Sequence, residues 1–191
     1  AGLSYIRRNR LVFVLLGMAL ATTMLAMPFR FLMPIFIVDV YGRGPEALGL
    51  LVSVMGLGAL VGSLFVAALG KWKRGLLLIT VSFLSGIGLM VVAVIPVYFA
   101  AICMMILLGL GDSGRRTLLM TLIMEEVENR YQGRVMSVFM MNFGLMPLGI
   151  LPASVVAQFV GVREAVGLLA VLLLVTTLVI LTTQKRLREI D

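Results

Sequence analysis

Three charged side chains inside a long apolar segment are the residues of this sequence most able to do chemistry. Asp112 is followed by Arg115 and Arg116, and a helix would project all three from one side. An ionised group at the centre of a bilayer costs about 2.5–3.5 kcal/mol on insertion scales, so each needs a partner or water. Either Asp112 and Arg116 form an internal ion pair while Arg115 extends toward the inner surface, or the group lines a polar cavity that binds a solute or carries protons.

Helical rise places Asp112 near the middle of its segment, about 22 Å from one end and about 18 Å from the other. Arg30, in another apolar segment, lies about 12 Å from the outer end. Its side chain has two interpretations: it extends outward to the membrane surface, or it joins the charged cavity.

Residues 109–114 also match two motifs of soluble enzymes. The spacing G-x-G-x-x-G is typical of dinucleotide-binding loops, but those loops need a strand–loop–helix context that an apolar helix lacks. The letters GDSG are common around serine nucleophiles, but the sequence has no histidine to activate Ser113. With Cys103 as its single cysteine, the chain has no Cys-cluster or histidine metal site. We expect no enzyme activity, no metal and no cofactor.

The elements that position these residues are apolar segments long enough to cross a membrane. Of 191 residues, 61% are hydrophobic and 13% charged, whereas soluble domains have about 45–50% and 25%. The runs are too long for barrel strands and lack strict alternation, so they predict helices. We predict an all-α membrane protein with a single six-helix transmembrane domain over residues 1–191. The predicted spans are residues 11–38, 48–69, 76–95, 97–124, 135–160 and 165–183.

The basic residues predict the orientation of these spans. One side of the membrane has only Arg43 and Arg163 in its connections, whereas the other has eleven Lys and Arg. The richer side is cytoplasmic by the positive-inside rule, so both termini are predicted in the cytoplasm of a bacterial inner membrane. Orientation therefore accounts for the net charge of +7 without nucleic acid. The eleven residues are Arg7, Arg8, Arg10, Lys71, Lys73, Arg74, Arg130, Arg134, Lys185, Arg186 and Arg188.

Prolines and glycines within the spans predict bends and close packing. Proline bends or breaks a helix, which serves either as a static kink or as part of a gate beside a solute site. The G-x-x-x-G pair in span two predicts tight packing against another helix, with span five as a candidate. The candidate gating and packing residues are Pro28, Pro34, Gly58, Gly62, Gly144, Pro147, Gly149 and Pro152.

Two sequence stretches carry a family resemblance. Residues 131–137, YQGRVMS, open span five and lead to residues 142–149, NFGLMPLG, while residues 49–63 of span two are rich in glycine. Together they resemble the C-terminal six helices of a major facilitator superfamily transporter, especially the drug and siderophore exporter branch that includes enterobactin and macrolide efflux proteins. The likeness covers essentially the whole chain. Two positions depart from the family pattern: Gly70 stands where a loop Asp is usual, and Gln132 where the branch has Arg.

The resemblance implies a twelve-helix protein in which this chain is one half, built of 3+3 inverted repeats. It implies that helices one and four face a central cavity, which brings Arg30, Asp112 and Arg115 or Arg116 to the solute path. Arg134 would lie at a cytoplasmic latch between the halves, together with the basic turn Lys71, Lys73 and Arg74.

On this basis we expect a proton-coupled exporter of a small amphipathic or anionic compound, such as a drug or siderophore. Its expected partners are membrane lipids, protons and either the missing N-terminal half or a second copy. A self-dimerising half-transporter and a non-transporting membrane scaffold are the alternatives.

Overall fold

Eight helices make up the described part of the chain, residues 2–70 and 74–183 of a computed structural model. Six spans are long and apolar enough to cross a membrane, and the described residues contain no strand. The predicted all-α, six-span fold is therefore confirmed, while the inverted repeats stay a prediction. The helices are α1 (Gly2–Arg8), α2 (Arg10–Tyr41), α3 (Pro45–Ala68), α4 (Arg74–Val94), α5 (Tyr98–Glu126), α6 (Asn129–Gly144), α7 (Pro147–Phe159) and α8 (Val162–Thr183).

The prolines interrupt only one of the six spans. The span predicted at residues 135–160 consists of α6 and α7, which meet between Gly144 and Pro147. Proline has no N–H to continue the helical ladder, so it begins a new helix more readily than it extends an old one. By contrast, α2 runs unbroken through Pro28 and Pro34, and Pro152 lies inside α7.

Polar groups complete the backbone hydrogen bonds at several helix ends. The Asn9 side chain accepts hydrogen bonds from two backbone amides in the first turn of α2. Gly42 ends that helix with φ of 60°, a left-handed conformation that glycine adopts without strain. Arg163 donates to the carbonyls of Ala93 and Val94 at the end of α4, at 2.6 Å each. The Arg163 contacts tie the third span, α4, to the sixth span, α8.

Small residues allow α3 and α5 to pack backbone against backbone. A Cβ added at Gly58 would overlap the Ile106 carbonyl, and one at Gly62 would lie 2.5 Å from the Leu110 carbonyl oxygen. Gly109 faces the α3 backbone in the same way. The predicted tight packing of the G-x-x-x-G pair is present, but its partner is the fourth span; the suggestion of span five is wrong.

Two apolar cores lie one above the other, with a layer of buried polar residues between them. One core packs one end of the bundle around Phe29 and Leu108, and the other core packs the opposite end around Ala19 and Leu118. On α2 and α5, the intervening segments hold the buried Thr22 and Arg115. The buried polar residues of the described chain are Thr22, Ser82, Ser85, Arg115, Asn142 and Thr177.

Candidate functional site

An ion network joins α2 to α5 within this polar layer. The Nη2 atom of Arg30 lies 2.9 Å from Oδ2 of Asp112, and Nη2 of Arg115 lies 2.6 Å from Oδ1 of the same carboxylate. Asp112 therefore bridges one arginine from a neighbouring helix and one from its own. The structure brings together three of the four charged residues that the sequence predicted for a solute or proton pathway.

The internal Asp112–Arg116 pair, one of the two sequence-based interpretations, is wrong. Both carboxylate oxygens already accept hydrogen bonds from Arg30 and Arg115. Arg116 points elsewhere, with its Cζ 5.4 Å from the centroid of the Phe143 ring on α6, a cation–π distance. Arg115 does not extend to the membrane surface, and Arg30 turns inward to Asp112 rather than outward.

Burial differs sharply along the network. The side chains of Arg30, Asp112 and Arg115 are 41%, 17% and 5% exposed to solvent, respectively. Arg115 is thus the enclosed partner and Arg30 the accessible one. The formal charges of these three residues sum to one positive charge, and Arg116 adds a second.

Two donors beside the network have no acceptor in the described structure. They are Nη1 of Arg115 and Nδ2 of Asn142, whose residues are 4% and 7% exposed. A buried donor without a partner costs about 1–3 kcal/mol, and more when it is charged. Asn142 begins the NFGLMPLG stretch that carried the family resemblance, but it was not among the predicted site residues. Its signal was available, since it is an amide in the middle of an apolar span.

Arg115 and Asn142 both line a pocket between α2, α5 and α6. Its interior is about 20 Å³, which is enough for an ordered water molecule and far too small for a drug-sized solute. A second pocket is lined by residues of α2, α3, α4 and α5 and also reaches Asp112 and Arg115. The lining residues of the first pocket are Ala19, Thr22, Thr23, Met27, Asp112, Arg115, Arg116, Leu119, Phe139, Asn142 and Phe143.

The predicted latch residues lie partly within the described chain. Arg74 donates to both carboxylate oxygens of Glu125 at 2.7 Å and to the Gly70 carbonyl at 2.6 Å, so it holds α4 against the end of α5. Arg134 is exposed near the start of α6. Lys71 and Lys73 lie outside the described residues.

Four of the eight predicted gating and packing residues lie in the interrupted span. Gly149 in α7 packs on the backbone of α2, where an added Cβ would lie 2.5 Å from the Met24 carbonyl oxygen. Gly144 and Pro147 flank the break, and Pro152 is exposed on α7. This contact couples the interrupted span to the helix that carries Arg30.

Comparisons with known proteins agree with this architecture. The family model described as Major Facilitator Superfamily matches residues 1–150. Macrolide efflux protein A of Streptococcus pyogenes is 26% identical over 167 residues, covering 85% of this chain and 41% of the relative. The Staphyloferrin A transporter of Staphylococcus aureus (strain NCTC 8325 / PS 47) is 25% identical over 158 residues, covering 82% and 40%. The chain thus spans less than half the length of these relatives.

The fold also matches a solved structure. A crystal structure of the POT family transporter PepTSo superimposes with a TM-score of 0.75 at 14% identity, covering 93% of this chain and 38% of that one. At this identity the likeness concerns the fold alone. It supports the arrangement of six spans in one bundle.

Proposed function

The chain belongs to the Major Facilitator Superfamily, as its motifs predicted, and from this premise we propose that it is half of a proton-coupled exporter. The transported compound would be small and amphipathic or anionic, of the kind represented by drugs and siderophores. The relatives' names, macrolide efflux protein and staphyloferrin transporter, support this class. Family membership places the chain among transporters, and the absence of catalysis stays a prediction.

The observation that carries the proposal is the Arg30–Asp112–Arg115 network at mid-span. Charged groups in an apolar layer are expensive and are typical of ion or solute pathways. Packing alone would be served by apolar side chains, since buried ion pairs often contribute little net stability. Two pockets that reach these charges are large enough for water.

The network also offers a switch. Arg30 belongs to α2 and is the more exposed partner, whereas Arg115 belongs to the same helix as Asp112 and is enclosed. Releasing Arg30 would free α2 from α5 while Asp112 keeps one partner. We propose that Asp112 changes its protonation or its pairing in this way as the two halves rock around a midplane site.

Active export by this protein should depend on the proton gradient. Cells that produce it from its complete coding sequence are expected to accumulate less of at least one compound from a panel containing a macrolide and staphyloferrin A. A protonophore should abolish the difference, because it removes the driving force. The control is the same cells carrying an empty vector. Equal accumulation of every panel member with and without the protein would reject the exporter.

The second half of the transporter is proposed to be an N-terminal six-helix segment encoded with this one. Only 17% of an 18-residue apolar stretch in the α6–α7 span is buried. The buried share of the corresponding stretch is 28% in α3 and 56% in α4. The α6–α7 span and α3 therefore leave large faces for lipid or for another bundle. The alternatives are a second copy of this chain and a scaffold that transports nothing.

Native mass spectrometry of the detergent-solubilised protein separates these possibilities. We expect one copy of the 191-residue segment per particle, within a chain of about twice its length. Two copies per particle would favour the self-dimerising half-transporter. A single copy without any export would favour the scaffold.

Six apolar spans and family membership make the chain an integral membrane protein. We further propose that it resides in a bacterial inner membrane with both termini cytoplasmic, because the positive charge lies on that side. Lipids would contact the outward faces of the spans. Arg134 and the basic turn at residues 71–74 would then lie at the cytoplasmic face, where they are proposed to latch the halves.

A further inference from the structure

An apolar cavity lies between α2, α7 and α8, beside the interrupted span. Its interior is about 240 Å³, against about 20 Å³ for each of the two pockets at the ion network. Every lining residue is Met, Leu, Val, Ala, Pro or Gly, so no polar side chain faces the interior. A cavity of this kind excludes water and accepts apolar molecules.

The cavity opens between α7 and α8. Leu148, Leu168 and Leu172 line it and are each at least 43% exposed. Three other lining residues are at most 7% exposed, and we call them the floor of the cavity: Ala153, Ala165 and Leu169. The cavity therefore has a mouth that faces outward from the bundle and a floor that lies within it.

The cavity is elongated along the spans. Its lining runs from Leu148 to Val156 on α7 and from Ala165 to Leu172 on α8, which is roughly 10–12 Å of helical rise on each helix. The two helices join at residues 160–161, about 6 Å beyond one end of the cavity. The cavity therefore begins near a membrane surface and continues toward the middle of the bilayer.

We propose that this cavity binds one acyl chain of a membrane phospholipid. The chain would enter between α7 and α8 and lie along the floor, with its headgroup at the membrane surface near the α7–α8 turn. The site is independent of the proposed export activity, because it requires only that the six spans lie in a membrane.

An acyl chain fits this cavity better than the other possible occupants. A helix is about 10–12 Å wide, so another bundle could cover the mouth but could not fill the interior. Water would find no polar side chain there. The bilayer supplies acyl chains at this depth, and a chain that fills the space gains the dispersion contacts that an empty cavity forfeits.

The bound chain would lie beside the contact that holds the interrupted span to α2. Gly149 packs on the Met24 carbonyl, and both residues line the cavity. An acyl chain in the cavity would therefore support α7 in its position against α2, as a packed side chain would.

The test is photo-labelling with a phosphatidylethanolamine whose acyl chain carries a diazirine. The protein, made from its complete coding sequence, is placed in vesicles of phosphatidylethanolamine and phosphatidylglycerol that contain this probe, and peptide mass spectrometry identifies the labelled residues. Lipids that surround the bundle touch only exposed residues, so label on the floor reports entry into the cavity. We expect label on Ala153, Ala165 or Leu169 and none on Leu51, a buried residue of α3.

Val156→Trp should abolish the label on the floor, because Val156 lines the cavity and the larger side chain would fill it. Val155→Trp is the matched control, since Val155 is exposed on the same helix and lies outside the lining. It should retain the label. If Val156→Trp fails to fold, Leu168→Trp at the mouth replaces it and should likewise abolish the label.

Two results would overturn the acyl-chain site. One is label confined to exposed residues of the unmodified protein, and the other is label on the floor that persists in a folded filling variant. A sulfonated, water-soluble diazirine serves as a further arm and should leave the floor unlabelled. Label on the floor from that probe would show an aqueous cavity and would also reject the site.

Discussion

Replacing Asp112 with asparagine is expected to reduce proton-dependent export at least about tenfold, a change equivalent to roughly 1.4 kcal/mol. Asparagine keeps the size of the side chain but removes the charge that holds Arg30 and Arg115 together. The group would then hold three positive charges and no negative one, in a layer where unpaired charge is costly. The measurement is the initial rate of efflux in inside-out vesicles, normalised to the amount of folded protein.

Asp39→Asn is the matched control, because Asp39 is exposed near the C-terminal end of α2 and lies outside the network. It should leave the rate close to that of the unmodified protein. Arg116→Gln should impair export as well, since Arg116 contributes charge to the same pocket. Unimpaired transport in both Asp112→Asn and Arg116→Gln would remove the basis for placing the pathway here.

Replacing Gly58 with valine is expected to destabilise the bundle strongly. The new Cβ would meet the Ile106 backbone, which cannot move without separating α3 from α5. Overpacking typically costs about 1–3 kcal/mol, and a backbone obstacle places this variant at or above the upper end. The Tm of the detergent-purified protein should fall by about 5 °C or more, or the folded protein should be lost from the membrane fraction.

Gly56→Val provides a control on the same helix. A Cβ at Gly56 would have nothing within 4 Å among the described residues, whereas helix propensity and hydrophobicity change equally at both positions. Gly56→Val should therefore retain nearly the full Tm. Equal loss in both variants would mean that the α3–α5 contact is looser than the structure shows.

The sequence determined the class of protein and the number of spans. Whether a segment enters a membrane depends mainly on its own composition over about 20 residues, so the six spans could be located without knowing their neighbours. The break at Gly144 and Pro147 was also foreseeable, because proline acts on its own helix. The sequence could not tell which prolines interrupt a helix, because Pro28 and Pro34 lie within α2, which is unbroken.

Residue spacing limited which partners were possible for Asp112, but it could not choose among them. Arg115 and Arg116 were both within reach along α5, and the preferred i, i+4 pair did not form. The choice depended on Arg30, which comes from a helix 82 residues earlier in the chain and occupies the second oxygen. The buried Asn142 became part of the site only because α6 packs beside α2 and α5.

The packing of α3 against α5 was likewise only partly predictable from the sequence. Gly58 and Gly62, four residues apart, predicted a flat face on α3, because this spacing places both glycines on the same side of a helix. The sequence did not show that this face packs against α5. In the structure Gly58 and Gly62 lie against the α5 backbone, and Gly109 of α5 lies against the α3 backbone. Local composition therefore determined which segments cross the membrane, while contacts between distant segments determined which charges pair and which buried donors have no partner among the described residues.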